Sequence, residues 1–155
     1  MAKKEKNILR DIMQYCAKAE HCSQDVIKKL SSWDVEEEEI ELLLEKLRTE
    51  KFLDDARYAK AYVNDKWKLD HWGKKKIRHQ LFLKNIDDRF VEKALDTIDE
   101  EEYKTELIKQ LSKKENELNG LDRDQLITRL YNFGASRGFE EELIMQWIQG
   151  RKKYE

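Results

Sequence analysis

The stretch Ile77-Arg78-His79-Gln80-Leu81-Phe82-Leu83-Lys84-Asn85-Ile86-Asp87-Asp88-Arg89-Phe90-Val91-Glu92-Lys93-Ala94-Leu95 decides the fold. Its apolar residues Ile77, Leu81, Ile86, Val91 and Leu95 are spaced 4, 5, 5 and 4. The same spacings occur 51 residues earlier, in Val26, Leu30, Val35, Ile40 and Leu44. The match continues from Leu47 and Phe52 to Ile98 and Tyr103. A looser third copy runs Leu130, Gly134, Phe139, Ile144 and Ile148, where neighbouring Phe133 is expected to fill the gap left by Gly134. The residue before the middle apolar position is Asp34, then Asn85, then Gly138. Asp, Asn and Gly tolerate the left-handed conformation at a helix end, so each copy should make the same tight turn between its second and third helix.

Working outward, apolar residues recur at helical spacing almost everywhere. Ile8, Ile12, Met13 and Cys16 make a first helix, and Ser23 is the expected N-cap of a second. Glutamates 36–39 open a third, and Asp54 caps a fourth that runs to about Leu69. Gly73 breaks the chain before a fifth with Ile77 and Leu81, and Asp87 caps a sixth. A seventh spans roughly Glu100–Leu118 and stops at Asn119-Gly120. Asp122 with Gln125 reads as a capping box for the eighth, and the ninth ends at Gly150. Nine helices in three copies predict an all-α protein of three tandem three-helix repeats, 1–52, 53–99 and 100–155. A unit of about 50 residues buries too little surface alone, so neighbours should share a core in an elongated, curved array.

Composition agrees. The 155 residues include no proline and only five glycines, too few for the turns of a β-rich chain. Charged residues make up 41% of the chain, against about 25% in an average globular protein. No stretch approaches the roughly 20 apolar residues of a membrane span, and no apolar region follows the charged start as a secretory signal requires. Cys16 and Cys22 are too few for a disulfide framework, so reduced thiols and a cytoplasmic location are expected. Cys16, His21 and Cys22 lack zinc-site spacing, His71 and His79 have no nearby acid except Asp70, and there is no phosphate loop. Asp54 and Asp55 are adjacent acids, but a helix cap explains Asp54. Neither an enzyme, a metal nor a cofactor is expected.

The net charge of −2 hides segregation. Asp34 to Glu50 is acidic, whereas Lys66 to Lys84 carries Lys66, Lys68, Lys74, Lys75, Lys76, Arg78 and Lys84 against Asp70 alone. Lys74, Lys75 and Lys76 open a helix, where exposed cations oppose the macrodipole by about 0.3–1 kcal/mol each. Local stability does not explain them; a negatively charged partner would, and so would a plain solvated face. Arg151, Lys152 and Lys153 follow a helix C-terminus, where the dipole suffices. Tyr58, Tyr62 and Trp67 fall on one helix, where Tyr58 and Tyr62, four apart, share a face, as a core stripe would. Trp72, in a polar loop, is either an exposed anchor for a partner or a plug between repeats, with the plug favoured.

The run Phe52-Leu53-Asp54-Asp55-Ala56-Arg57-Tyr58-Ala59-Lys60-Ala61-Tyr62 resembles the central signature of the RecX family, regulators of the RecA recombinase. Gly73-Lys74-Lys75-Lys76-Ile77, then Leu81 and Ile86, follow as in that family's second repeat, and Arg137-Gly138-Phe139 is similar to a motif of its third. Lys74 stands where the family often has proline, and Asn85 where it often has glycine. The resemblance implies an all-helical, non-enzymatic protein of three three-helix repeats. It implies binding to RecA filaments, with the single-stranded DNA inside them, and inhibition of RecA's ATPase, strand exchange and coprotease activities. Such a protein modulates DNA repair, recombination and the SOS response. A cytoplasmic monomer without membrane contact is expected. Lys74, Lys75, Lys76 and Arg78 are the expected filament or DNA contacts, with Arg57 and Lys60 as secondary ones. Two other readings compete: a helical nucleic-acid-binding module independent of RecA, and a scaffold that offers the acidic helix at Glu36–Glu41 to a basic partner.

Overall fold

The computed structural model describes residues 5–154. The described residues form nine α-helices and no strand: α1 (Glu5–Lys18), α2 (Ser23–Ser32), α3 (Glu37–Thr49), α4 (Asp55–Lys68), α5 (Lys74–Leu83), α6 (Asp88–Leu95), α7 (Glu100–Glu117), α8 (Arg123–Ser136) and α9 (Glu141–Gln149). A 3-10 turn at Lys152–Tyr154, which helical periodicity did not announce, follows α9. None of the described helices is long and apolar enough to cross a membrane.

The repeated apolar positions are the core. Val26, Leu30, Val35, Ile40, Leu44 and Leu47 are buried, as are Ile77, Leu81, Ile86, Val91, Leu95 and Ile98 in the second copy. The third copy buries Leu130, Phe139, Ile144 and Ile148. Gly134 is buried too, but Phe133 does not fill the space above it. A Cβ on Gly134 would lie 2.7 Å from Ile144 Cδ1, so the Ile144 side chain from α9 occupies the gap.

The expected turns are present with one geometry. Asp34 and Asn85 both have φ of 59°, and Gly138 has φ of 97°. In each, the next residue's N–H closes a six-residue loop onto the end of the preceding helix: Val35 onto the Leu30 carbonyl at 3.2 Å, Ile86 onto Leu81 at 3.2 Å, Phe139 onto Gly134 at 3.1 Å. This is the Schellman arrangement, which satisfies carbonyls the helix leaves open.

Caps follow the sequence with one exception. Asp54 accepts the Arg57 N–H at 3.0 Å, and Asp122 and Gln125 form the reciprocal box at 2.9 and 3.2 Å. Asp99, not anticipated, caps α7 through the Glu102 N–H. Ser23 is not an N-cap: it is the first residue of α2, and Cys22 stands at the cap position. The Ser23 N–H and hydroxyl both donate to Asp55, at 2.8 and 2.9 Å. Asp55 therefore holds the start of α2 from α4.

The chain divides into two compact units: residues up to Tyr62 with Leu81–Val91, and Val63–Gln80 with Glu92 onward. The first unit holds a cluster of Ile8, Ile12, Cys16, Val26, Leu30, Val35, Ile40, Leu44, Leu47 and Leu53. In the second, α8 packs against α7 and α9, and the 3-10 turn lies on α9.

Candidate functional site

Within the second unit, α5 begins in an interlocked pair of turns. The Gly73 N–H donates to the Arg137 carbonyl at 2.7 Å, and the Lys75 N–H to the Gly138 carbonyl at 2.9 Å. The two backbones touch: a Cβ on Gly73 would lie 2.2 Å from the Gly138 carbonyl carbon, and one on Gly138 would lie 2.4 Å from Lys76 Cβ. Only glycine at both places permits this approach. Arg137 adds its side chain, which donates to Gln110 Oε1 at 3.0 Å and to the carbonyls of Asp70 and His71 at the end of α4. A guanidinium there meets the negative end of the α4 dipole. Phe139 is buried, its ring 5.1 Å from that of Tyr103.

Tyr103 completes the cap. Its hydroxyl accepts the Lys74 N–H at 2.8 Å and donates to Glu140 Oε1 at 2.6 Å. Burial, then the Glu140 carboxylate, pushes the Tyr103 phenol far above its ordinary range, so it stays a neutral donor and acceptor. The amides of residues 73, 74 and 75 are thus occupied within the fold. The anion-binding capacity of this segment resides in its side chains.

Those side chains divide by what they touch. The Lys74 ammonium lies over the Tyr103 ring at 5.0 Å, and that of Lys76 over the Trp72 ring at 4.3 Å. Lys75 is exposed. Among the described residues, none of the three forms an ion pair. Arg78 does: it donates twice to Glu92, at 2.6 and 3.2 Å. This contact holds the Glu92 carboxyl below its usual range and raises Arg78. The pair is exposed on both sides, the class of ion pair that contributes about 0–1 kcal/mol. Trp72 is half-buried, with the Lys66 ammonium over its ring at 4.8 Å as well. It is a platform for two cations.

In the first unit, Arg57 and Lys60 are exposed on α4. Arg57 is tied down: it pairs with Glu20 at 2.6 Å and donates to the Lys51 carbonyl at 3.1 Å, at the end of α3. Lys60 has no ion pair among the described residues. The aromatic stripe is core, as expected: Tyr58 and Trp67 are buried, and Tyr62 stacks on Tyr58 at 6.0 Å.

Other charged residues also have structural partners. Arg151, expected to need only the helix dipole, pairs with the buried Glu115 at 2.7 Å, and the Tyr154 hydroxyl donates to the same carboxylate. Arg123 fixes the Tyr154 carbonyl with two donors, at 3.0 and 2.5 Å. His71 Nδ1 lies 3.8 Å from Glu106, an acid its sequence neighbourhood did not reveal. Cys16 and Cys22 are buried free thiols whose pKa burial raises. Among the described residues, no three His, Cys, Asp or Glu side chains gather as a metal site would require.

Comparison with known proteins matches residues 54–95 to the family model "RecX, second three-helix domain". These residues hold α4, α5 and α6. The chain is 31% identical over 134 residues to the regulatory protein RecX of Clostridium botulinum (strain Alaska E43 / Type E3), covering 85% of this chain and 62% of that one. It is 28% identical over 134 residues to the regulatory protein RecX of Prosthecochloris aestuarii, covering 86% of each. It thus spans about three fifths of its clostridial relatives. A crystal structure of RecX from Lactobacillus salivarius superposes with a TM-score of 0.84 at 23% identity, over 93% of this chain and 94% of that one. A further crystal structure of regulatory protein RecX gives 0.85 at 23% identity, over 94% and 73%.

Proposed function

The chain belongs to the RecX family, and from that premise we propose that it binds RecA filaments assembled on single-stranded DNA and inhibits RecA. The relatives are named as regulatory proteins, not as enzymes. In this reading the protein is a cytoplasmic monomer of three three-helix repeats, 1–52, 53–99 and 100–155. It works by occupying the filament rather than by catalysis.

The observation that supports a contact role for α5 is Lys74-Lys75-Lys76: three ammonium groups without an ion pair, at a helix start whose amides are already capped. Their charge opposes the helix dipole, a cost that the ring contacts of Lys74 and Lys76 offset in part. Phosphate or carboxylate groups of a filament would repay it. Arg78 joins them by exchanging its exposed Glu92 partner for one on the filament. Lys60 contributes a long-range attraction, and Arg57 mainly fixes the end of α3.

The test is the ATPase rate of matching RecA, preformed into filaments on single-stranded DNA, with the protein titrated below RecA's concentration. A fall at low ratios is expected. The Lys74→Glu/Lys75→Glu/Lys76→Glu variant should lose inhibition while its thermal stability stays level or rises, because acids suit that helix end. Unchanged inhibition by that variant would remove α5 from the contact surface. No inhibition by the wild-type chain would overturn the RecA reading itself.

A further inference from the structure

A second basic surface lies in the second unit, beside the turn that precedes α5. A cleft of about 450 Å³ opens beside α7, lined by the cations Lys109, Lys113, Lys114 and Arg137 and by Phe133, with Glu106 and Glu117 as its acids. Lys109 and Lys113 sit four apart on one helix, where like charges oppose each other. None of the three lysines forms an ion pair among the described residues, and Glu106 on the same wall is taken by Gln110 at 3.1 Å and faces His71. Arg137 is held by three acceptors through Nε and Nη2. Its Nη1 makes no hydrogen bond among the described residues, so a fixed guanidinium edge is left to donate. The remaining wall is aromatic: Phe133 is half-buried, with the Lys114 ammonium 5.3 Å from its ring centre.

We propose that this cleft binds one nucleotide unit of a single-stranded nucleic acid, its phosphate on Lys109, Lys113 and Arg137 and its base against Phe133. The volume suits such a unit, being within the roughly 300–1,000 Å³ of small-ligand clefts. Cations beside an exposed aromatic face are what sequence-tolerant single-strand binding uses. An acidic peptide would use the cations but has no need of the flat face. The site stands beside the RecA reading and does not depend on it.

The experiment uses the full chain without RecA. Fluorescence anisotropy of a labelled oligothymidylate is followed across a salt series. Wild type should bind, with affinity falling steeply with salt. Lys109→Gln/Lys113→Gln should lower the slope of log K against log salt by up to about 0.7, the value for one single-strand phosphate contact. Phe133→Leu should weaken binding about tenfold, with the slope unchanged. Three results would overturn the proposal: no binding by wild type; the same slope in the double variant; or better competition by a polyglutamate peptide. The RecA assay and this one fail separately, because neither readout enters the other.

Discussion

The turn at Asn85 and the turn at Gly138 share a backbone and differ in everything around it. Both are left-handed and both close the same six-residue loop onto the preceding helix. Asn85 is exposed, so a side chain there meets water. Gly138 is buried against Gly73 and Lys76, with no room for a single carbon. Backbone conformation alone therefore sets a loose rule, which Asp34 and Asn85 satisfy. Contact with a second turn makes the rule strict.

The largest expected effect breaks that contrast where it is sharpest. Gly73→Ala and Gly138→Ala should each cost about 3 kcal/mol or more, since the new carbon meets backbone that cannot rotate away. Gly138→Ala adds the left-handed strain of about 1–2 kcal/mol. Urea unfolding measures both. Total stabilities are about 5–15 kcal/mol, so either change is a severe loss. Asn85→Ala, with the same strain and no clash, should cost only about 1 kcal/mol. Equal costs for Asn85→Ala and Gly138→Ala would show that conformation, not packing, selects glycine.

Tyr103→Phe sharpens the comparison from the other side of the interlock. It removes the hydroxyl between the Lys74 N–H and Glu140, and should cost about 1–3 kcal/mol. The proposed inhibition of RecA should weaken in this variant, because the lysine-bearing helix start loses a support. Retained stability would mean that water replaces the cap. Asn85→Gly should move stability by no more than about 1 kcal/mol, as relief of strain offsets the greater freedom of the unfolded chain.

The smallest effect concerns alkaline pH. The Tyr154 phenol is pushed up to about 12 by burial and then by the Glu115 carboxylate. An exposed tyrosine titrates near 10. Because the folded value is the higher one, the contribution is complete below about pH 10 and is lost as pH rises toward 12. Ultraviolet titration should show several late-ionising tyrosines, and Tyr154→Phe should remove the one near pH 12 while Tyr103 still ionises late. A titration of all tyrosines near pH 10 would disprove the buried contact.

The periodicity in sequence carried nearly all of the helical fold, because each repeated apolar position has one face to bury. It also carried the left-handed turns at Asp34, Asn85 and Gly138, because Asp, Asn and Gly are the residues such turns accept, but not those at Lys51 and His71. Ser23 misled because its hydroxyl is an ordinary cap donor and acceptor, and its actual partner, Asp55, is 32 residues away. Gly134 misled for a related reason: the side chain that fills its gap comes from the next helix. For the basic segment, sequence located the lysines but not their surroundings. Arg78 read as equivalent to them and Arg57 as a secondary contact, whereas Glu92 and Glu20 alongside set both apart. The cleft at Lys109 and Lys113 was passed over because those residues are scattered along α7 rather than consecutive. The role of Arg137-Gly138-Phe139 depends on a contact with Gly73, and no local pattern encodes it.

That contact also sets an order of events during synthesis. The carbonyls that Arg137 holds belong to Asp70 and His71, as far as 67 residues before it. At roughly 5–20 residues per second, a ribosome takes about 3–13 seconds to cover that distance. Through that interval the end of α4 and the start of α5 have emerged without their caps. The lysine-bearing turn is therefore among the last parts of the second unit to set. The segment proposed to touch the filament would be shaped only once the final helices have been made.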